Sequence, residues 1–134
     1  MRVLFLSIVS LCCAVTMLGL VGCSGSNGAT EQVTGTVTFE DGTPIKGGTI
    51  VFASLDENSS SIGYIKEDGT YELGTFSETD GAPKGRYEVT VIGSSDYGQS
   101  SPIHQKYANQ GQSPLKAEVQ DGPNVIDFKV EKAR

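Results

Sequence analysis

Three observations predict an all-β fold. There are seven short apolar or alternating runs, a turn signal roughly every 8–12 residues, and no stretch with a helical apolar stripe. Strands that are short, alternate and are separated by Gly, Pro, Asn and Asp must bury one face against a second layer. The expected architecture is an antiparallel sandwich of about seven strands with one core. At 134 residues the chain has room for a single domain.

In chain order, Val33–Phe39 (VTGTVTF) alternates, with Val33, Val37 and Phe39 on one face and threonines on the other. Residues 40–44 (EDGTP) turn the chain, Gly42 accepting positive φ and Pro44 fixing its own. Residues 49–53 (TIVFA) are continuously apolar, as a central strand is, and residues 55–60 form a polar loop. Residues 62–65 and 71–73 flank Lys66-Glu-Asp-Gly69, a hairpin turn. A turn-rich loop, 77–83, leads into 85–92 (GRYEVTVI), the strongest strand. Here Tyr87, Val89 and Val91 face one way, and Arg86, Glu88 and Thr90 the other. Leu115–Val119 and residues 125–130 alternate again around the turn 121–124.

The segment before these strands has a different character. Met1-Arg2 is a minimal positive start, and residues 3–20 are uncharged and mostly apolar. Leu20-Val21-Gly22-Cys23 closes the run, and Ser, Gly and Asn follow. Eighteen uncharged residues are just long enough to span a bilayer, but a retained span is more often flanked by Lys or Arg, and the next basic residue is Lys46. The tetrapeptide resembles a bacterial lipobox. That resemblance implies cleavage between Gly22 and Cys23 and lipid attachment at Cys23. Each buried CH₂ contributes about 0.8 kcal/mol, so two or three acyl chains hold a protein firmly where one does not. The implied organisation is a signal peptide over 1–22, a flexible tether over 23–32 and a sandwich over 33–132. Residues 24–32 (SGSNGATEQ) would span roughly 16 Å as a flexible chain. Ser24 stands where an Asp would mark inner-membrane retention, so by the same resemblance the outer membrane is favoured.

Charge and cysteine content narrow the partners. The chain has 10 Lys and Arg against 16 Asp and Glu, a net charge of −6, with the acid scattered. No basic stripe offers phosphate neutralisation, so nucleic acid is disfavoured as a partner, and no polybasic patch favours anionic lipid. Cys12 and Cys13 lie in the segment to be removed, which leaves Cys23 alone and excludes an intrachain disulfide.

A second resemblance rests on three motifs in order. Gly35-Thr-Val37 with Asp41-Gly-Thr-Pro-Ile45 and Gly47-Gly-Thr49, then Asp68-Gly-Thr-Tyr71, then Pro83-Lys-Gly-Arg-Tyr-Glu-Val89 resemble the turns of a carboxypeptidase regulatory-like domain. The likeness covers most of residues 33–130 and implies a transthyretin-like, seven-stranded Greek-key sandwich in a small bacterial lipoprotein. The four Asp-Gly pairs, at 41, 68, 80 and 121, are read as turns, since none has the ligand spacing of a calcium loop. Tyr87 after Gly85 suggests a tyrosine corner.

Little points to catalysis. His104 is the only histidine, which leaves out a two-histidine metal site. A transthyretin-like hydroxyisourate hydrolase would need several histidines and a Tyr-Arg-Gly-Ser ending, and an intradiol dioxygenase two. Gly25-Ser-Asn-Gly28 falls short of a nucleophile elbow and lies in the tether. The first strand has no Lys for an isopeptide cross-link. No cofactor, metal site or catalytic residue is expected. Residues 93–114 lack a strand pattern, and loops of that length are usually functional or disordered. They hold Tyr97, His104, Tyr107, Pro102 and Pro114, and residues 102–107 suit one helical turn with Ile103 and Tyr107 packed over the sheet end. This loop is the expected contact surface. The function expected is that of a non-enzymatic, membrane-anchored envelope protein, structural or protein-binding. The alternative is a small-ligand or carbohydrate-binding accessory module.

Overall fold

The computed structural model describes residues 28–95 and 99–134. Ten strands follow in order: β1 (Thr30–Glu31), β2 (Val33–Phe39), β3 (Gly48–Ser54), β4 (Ser60–Ile65), β5 (Thr70–Gly74), β6 (Ala82–Pro83), β7 (Gly85–Gly93), β8 (Leu115–Val119), β9 (Asn124–Val125) and β10 (Phe128–Val130). One 3-10 turn, Gln105–Tyr107, interrupts them. The fold is all-β, and seven strands make one continuous path, β10-β2-β5-β4-β3-β7-β8, nearly closed into a barrel.

β5 makes the corner that closes it. Thr70, Tyr71 and Glu72 pair with β2, whereas Leu73 and Gly74 pair with β4. Tyr71 and Leu73 point inward throughout and are buried. The expected two separate sheets are therefore joined. Phe52 on central β3 meets Tyr87 at 5.7 Å, Phe128 of β10 at 5.9 Å and Tyr71 at 6.3 Å between ring centroids. Aromatic side chains from β3, β5, β7 and β10 thus fill one core, in the tilted and edge-on geometries that aromatic pairs prefer.

The predicted strands all form, but the antiparallel expectation is corrected at the last one. β9 and β10 run parallel to β2, with Val33 opposite Asn124 and Phe128 opposite Val37. The run 125–130 is also broken at Ile126-Asp127. Thr36 N–H donates to Asp127 Oδ1 at 2.8 Å, so a side chain completes the ladder. Tyr71 Oη–H donates to Ile126 O at 2.6 Å. A β-carbon on Gly35 would lie 1.9 Å from that same carbonyl, so only glycine leaves it room.

The turn chemistry is as the sequence indicates. Gly42, Gly69, Gly81 and Gly122 all take φ between 84° and 89°. Asp41 and Asp68 accept from the amides of Thr43 and Thr70 at 2.9 and 3.0 Å. Tyr87 Oη–H donates to Pro83 O at 2.6 Å, the expected tie at the edge. Glu88 and Thr90 lie on the face of β7 opposite Tyr87, Val89 and Val91, and both are nevertheless buried. The long loop after β7 folds back over Glu88, which accepts from Gly111 N–H.

Candidate functional site

The two ends of the barrel follow from strand register. Val33, Ser54, Ser60, Gly74, Gly85, Val119 and Asn124 lie toward one end, where the chain enters the domain. Phe39, Gly48, Ile65, Thr70, Gly93 and Val130 lie toward the other. Gly22 and Cys23, with the segment 1–22 read as a signal peptide, lie outside the described residues, as does Tyr97. Within the stretch read as a tether, Thr30–Glu31 pairs with Ala82–Pro83, so the sheet already holds the chain before Val33.

At the entry end the chain passes a single aromatic ring. A β-carbon on Gly28 would lie 3.0 Å from Phe76 Cε2. Phe76 is 70% exposed and belongs to a tightly bonded turn. Thr75 N–H donates to Asp80 Oδ1 at 2.7 Å, Phe76 N–H to Asp80 Oδ2 at 3.1 Å, and Thr75 Oγ1–H to Gly81 O at 2.7 Å. Desolvation works against the Asp80 charge, but the amides of Thr75, Ser77 and Phe76 outweigh it and hold the carboxyl below its usual range. Lys84 pairs with Asp121 at 3.0 Å and Arg86 with Asp56 at 2.6 Å at the same end.

At the far end the loop after β7 is built into the fold. β8 pairs only with the Gly85–Val89 half of β7, which leaves the other half of that edge without a strand. Ile103 and Tyr107 fill the space and are buried. Ile103 bridges Lys132, His104 N–H donates to Glu131 O at 3.0 Å, and Ala133 N–H to Pro102 O at 2.9 Å. Glu88 accepts from Gly111 N–H and pairs with Lys116 at 2.8 Å, and Ser113 Oγ–H donates to Val89 O. The Lys116 ammonium and then the Gly111 amide lower the Glu88 carboxyl. The expected helical turn is present as Gln105–Tyr107, but much of the loop serves as a plug closing the barrel.

His104 has a local structural task as well: its Nδ1 accepts from Lys106 N–H at 3.2 Å and caps that turn. It also lines a shallow cleft of about 490 Å³ with Ile92, Ser101, Ile103 and Arg134. The outer face of the sheet carries a second apolar surface. Tyr64, Thr49 and Ile92 share one row across β4, β3 and β7, and Ile62 and Val51 the next. Tyr64 is 73% exposed, and Ile62 and Ile92 are exposed too. Alternation in residues 62–65 carries this signal: Ile62 and Tyr64 must face away from Ile65, so both faces of β4 are apolar.

Among the described residues, no group of three or more His, Cys, Asp or Glu side chains is placed to hold a metal ion. Comparison with protein-family models, curated proteins and solved structures gives no match.

Proposed function

We propose that this chain is a bacterial cell-envelope lipoprotein, anchored through acylated Cys23, whose β-domain is a non-enzymatic structural or protein-interaction module. The observation that carries this reading is Leu20-Val21-Gly22-Cys23 directly after an uncharged apolar run. The first strand starts at Thr30, so the folded domain follows Cys23 closely. The outer membrane is the favoured site, on the strength of Ser24. The exposed outer-face side chains Ile62, Tyr64 and Ile92 support protein contact, because an apolar sheet face suits a partner better than water. The finer fold reading is a transthyretin-like Greek key of the carboxypeptidase regulatory-like kind. It is supported by the Asp-Gly turns at 41 and 68, which belong to the motifs that carry the resemblance, and by the Tyr87–Pro83 tie.

A second reading, a small-ligand or carbohydrate-binding accessory module, draws on the cleft at His104 and Arg134 and on the exposed Tyr64 ring. Co-purification from solubilised membranes separates the two. A stoichiometric protein partner lost on Tyr64→Asp supports the first reading. Saturable binding on a glycan array with no protein partner replaces it by the second.

A further inference from the structure

We infer that the entry end of the domain makes a second, apolar contact with the lipid bilayer, through the exposed ring of Phe76. The inference rests on the anchoring of Cys23 proposed above. Four residues, and so five Cα–Cα steps, separate Cys23 from Gly28, and an extended chain covers at most ~3.6 Å per step, so Gly28 lies within about 18 Å of the acylated cysteine. Phe76 stands against Gly28. Its ring is therefore confined to a shell of that order around the lipid attachment point, whatever path residues 23–27 take.

Within that shell the ring is presented rather than hidden. The bonds from Thr75 and Phe76 to Asp80 and Gly81 fix the turn, so exposing the ring exacts little further ordering. Leu55 and Val125 are also exposed toward this end. A lone phenylalanine would hold a free protein poorly at a membrane. Beside an existing anchor the contact is intramolecular, at an effective concentration in the millimolar range for a short linker, and weak contacts become populated. Glu57, Glu78 and Asp80 at the same end oppose anionic headgroups. The preferred surface is therefore zwitterionic.

The absence of tryptophan from the chain permits a clean probe. Full-length protein carrying Phe76→Trp is purified in its native membrane-processed form, checked for acylated Cys23 by mass spectrometry, and placed in phosphatidylethanolamine–phosphatidylcholine vesicles with or without brominated acyl chains. The expected result is at least twofold quenching by the brominated lipid, against little for Tyr64→Trp on the sheet face. Equal quenching at both positions, or none at position 76 with Cys23 acylated, overturns the contact. An unacylated Cys23 removes the anchoring and the contact with it. Hydrogen exchange of the unsubstituted protein gives a second readout should the variant fold poorly. Amides 75–80 should exchange several-fold more slowly on vesicles than in soluble Cys23→Ala protein, and unchanged rates overturn the contact.

Discussion

Thr36, Gly35, Tyr71 and Asp127 form a small interdependent unit. Asp127 replaces a backbone carbonyl in the ladder, Tyr71 satisfies Ile126 O, and Gly35 leaves that carbonyl its place. Burial and, after it, the nearby Asp127 carboxylate push the Tyr71 phenol well above its ordinary range, so it remains a hydrogen-bond donor across neutral pH. Gly35→Ala forces a β-carbon onto backbone, and the expected cost is about 2 kcal/mol or more. A thermal melt should show the midpoint lowered by roughly 8–16 °C. Tyr87→Phe loses only the bond to Pro83 O, worth about 1 kcal/mol, and urea titration should show that smaller loss with an unchanged m-value. Such pairings are poorly legible in a sequence. Gly35 and Asp127 read as an ordinary strand glycine and an ordinary alternating polar residue until the chain brings them together.

The loop of residues 99–113 belongs to the scale of elements. It lacks a strand pattern, yet Ile103 and Tyr107 are buried, as their expected packing over the sheet end requires, and Ser113 is bonded to β7. The helical turn was legible from residues 102–107. The burial of Glu88 was not, because strand alternation places it outward and only the returning loop covers it. Removing residues 98–112 should therefore abolish cooperative unfolding, seen as loss of a sigmoidal melt, rather than merely erase a contact surface. The carboxyls of Glu88 and Glu131 are both held below their usual range, by Lys116 and Lys106 first. A folded-state value below the unfolded one, about 4.3 for Glu, favours the folded state at neutral pH. That contribution falls away as pH drops through 4 toward the folded-state value. Melts from pH 7 to 3 should show the decline, and Glu88→Gln should make it shallower.

For the molecule as a whole, the seven strand runs and the Asp-Gly turns were legible because they depend on local alternation and on φ that glycine accepts. The closure of the sheet through β5, and the parallel pairing of β9 and β10 with β2, were not, since both depend on which strands meet. Of the candidate site, Leu20-Val21-Gly22-Cys23 is readable as a motif, while the nearness of Phe76 to the chain's entry emerges only after folding. On the proposed reading, the position of the whole domain depends on the chemistry at Cys23. Intact-mass and peptide mass spectrometry of the N-terminus from native membranes measures it directly. The predicted result is a chain beginning at Cys23 and bearing acyl mass. A chain beginning at Met1, with an unmodified Cys23 and the apolar run retained, would contradict the anchoring.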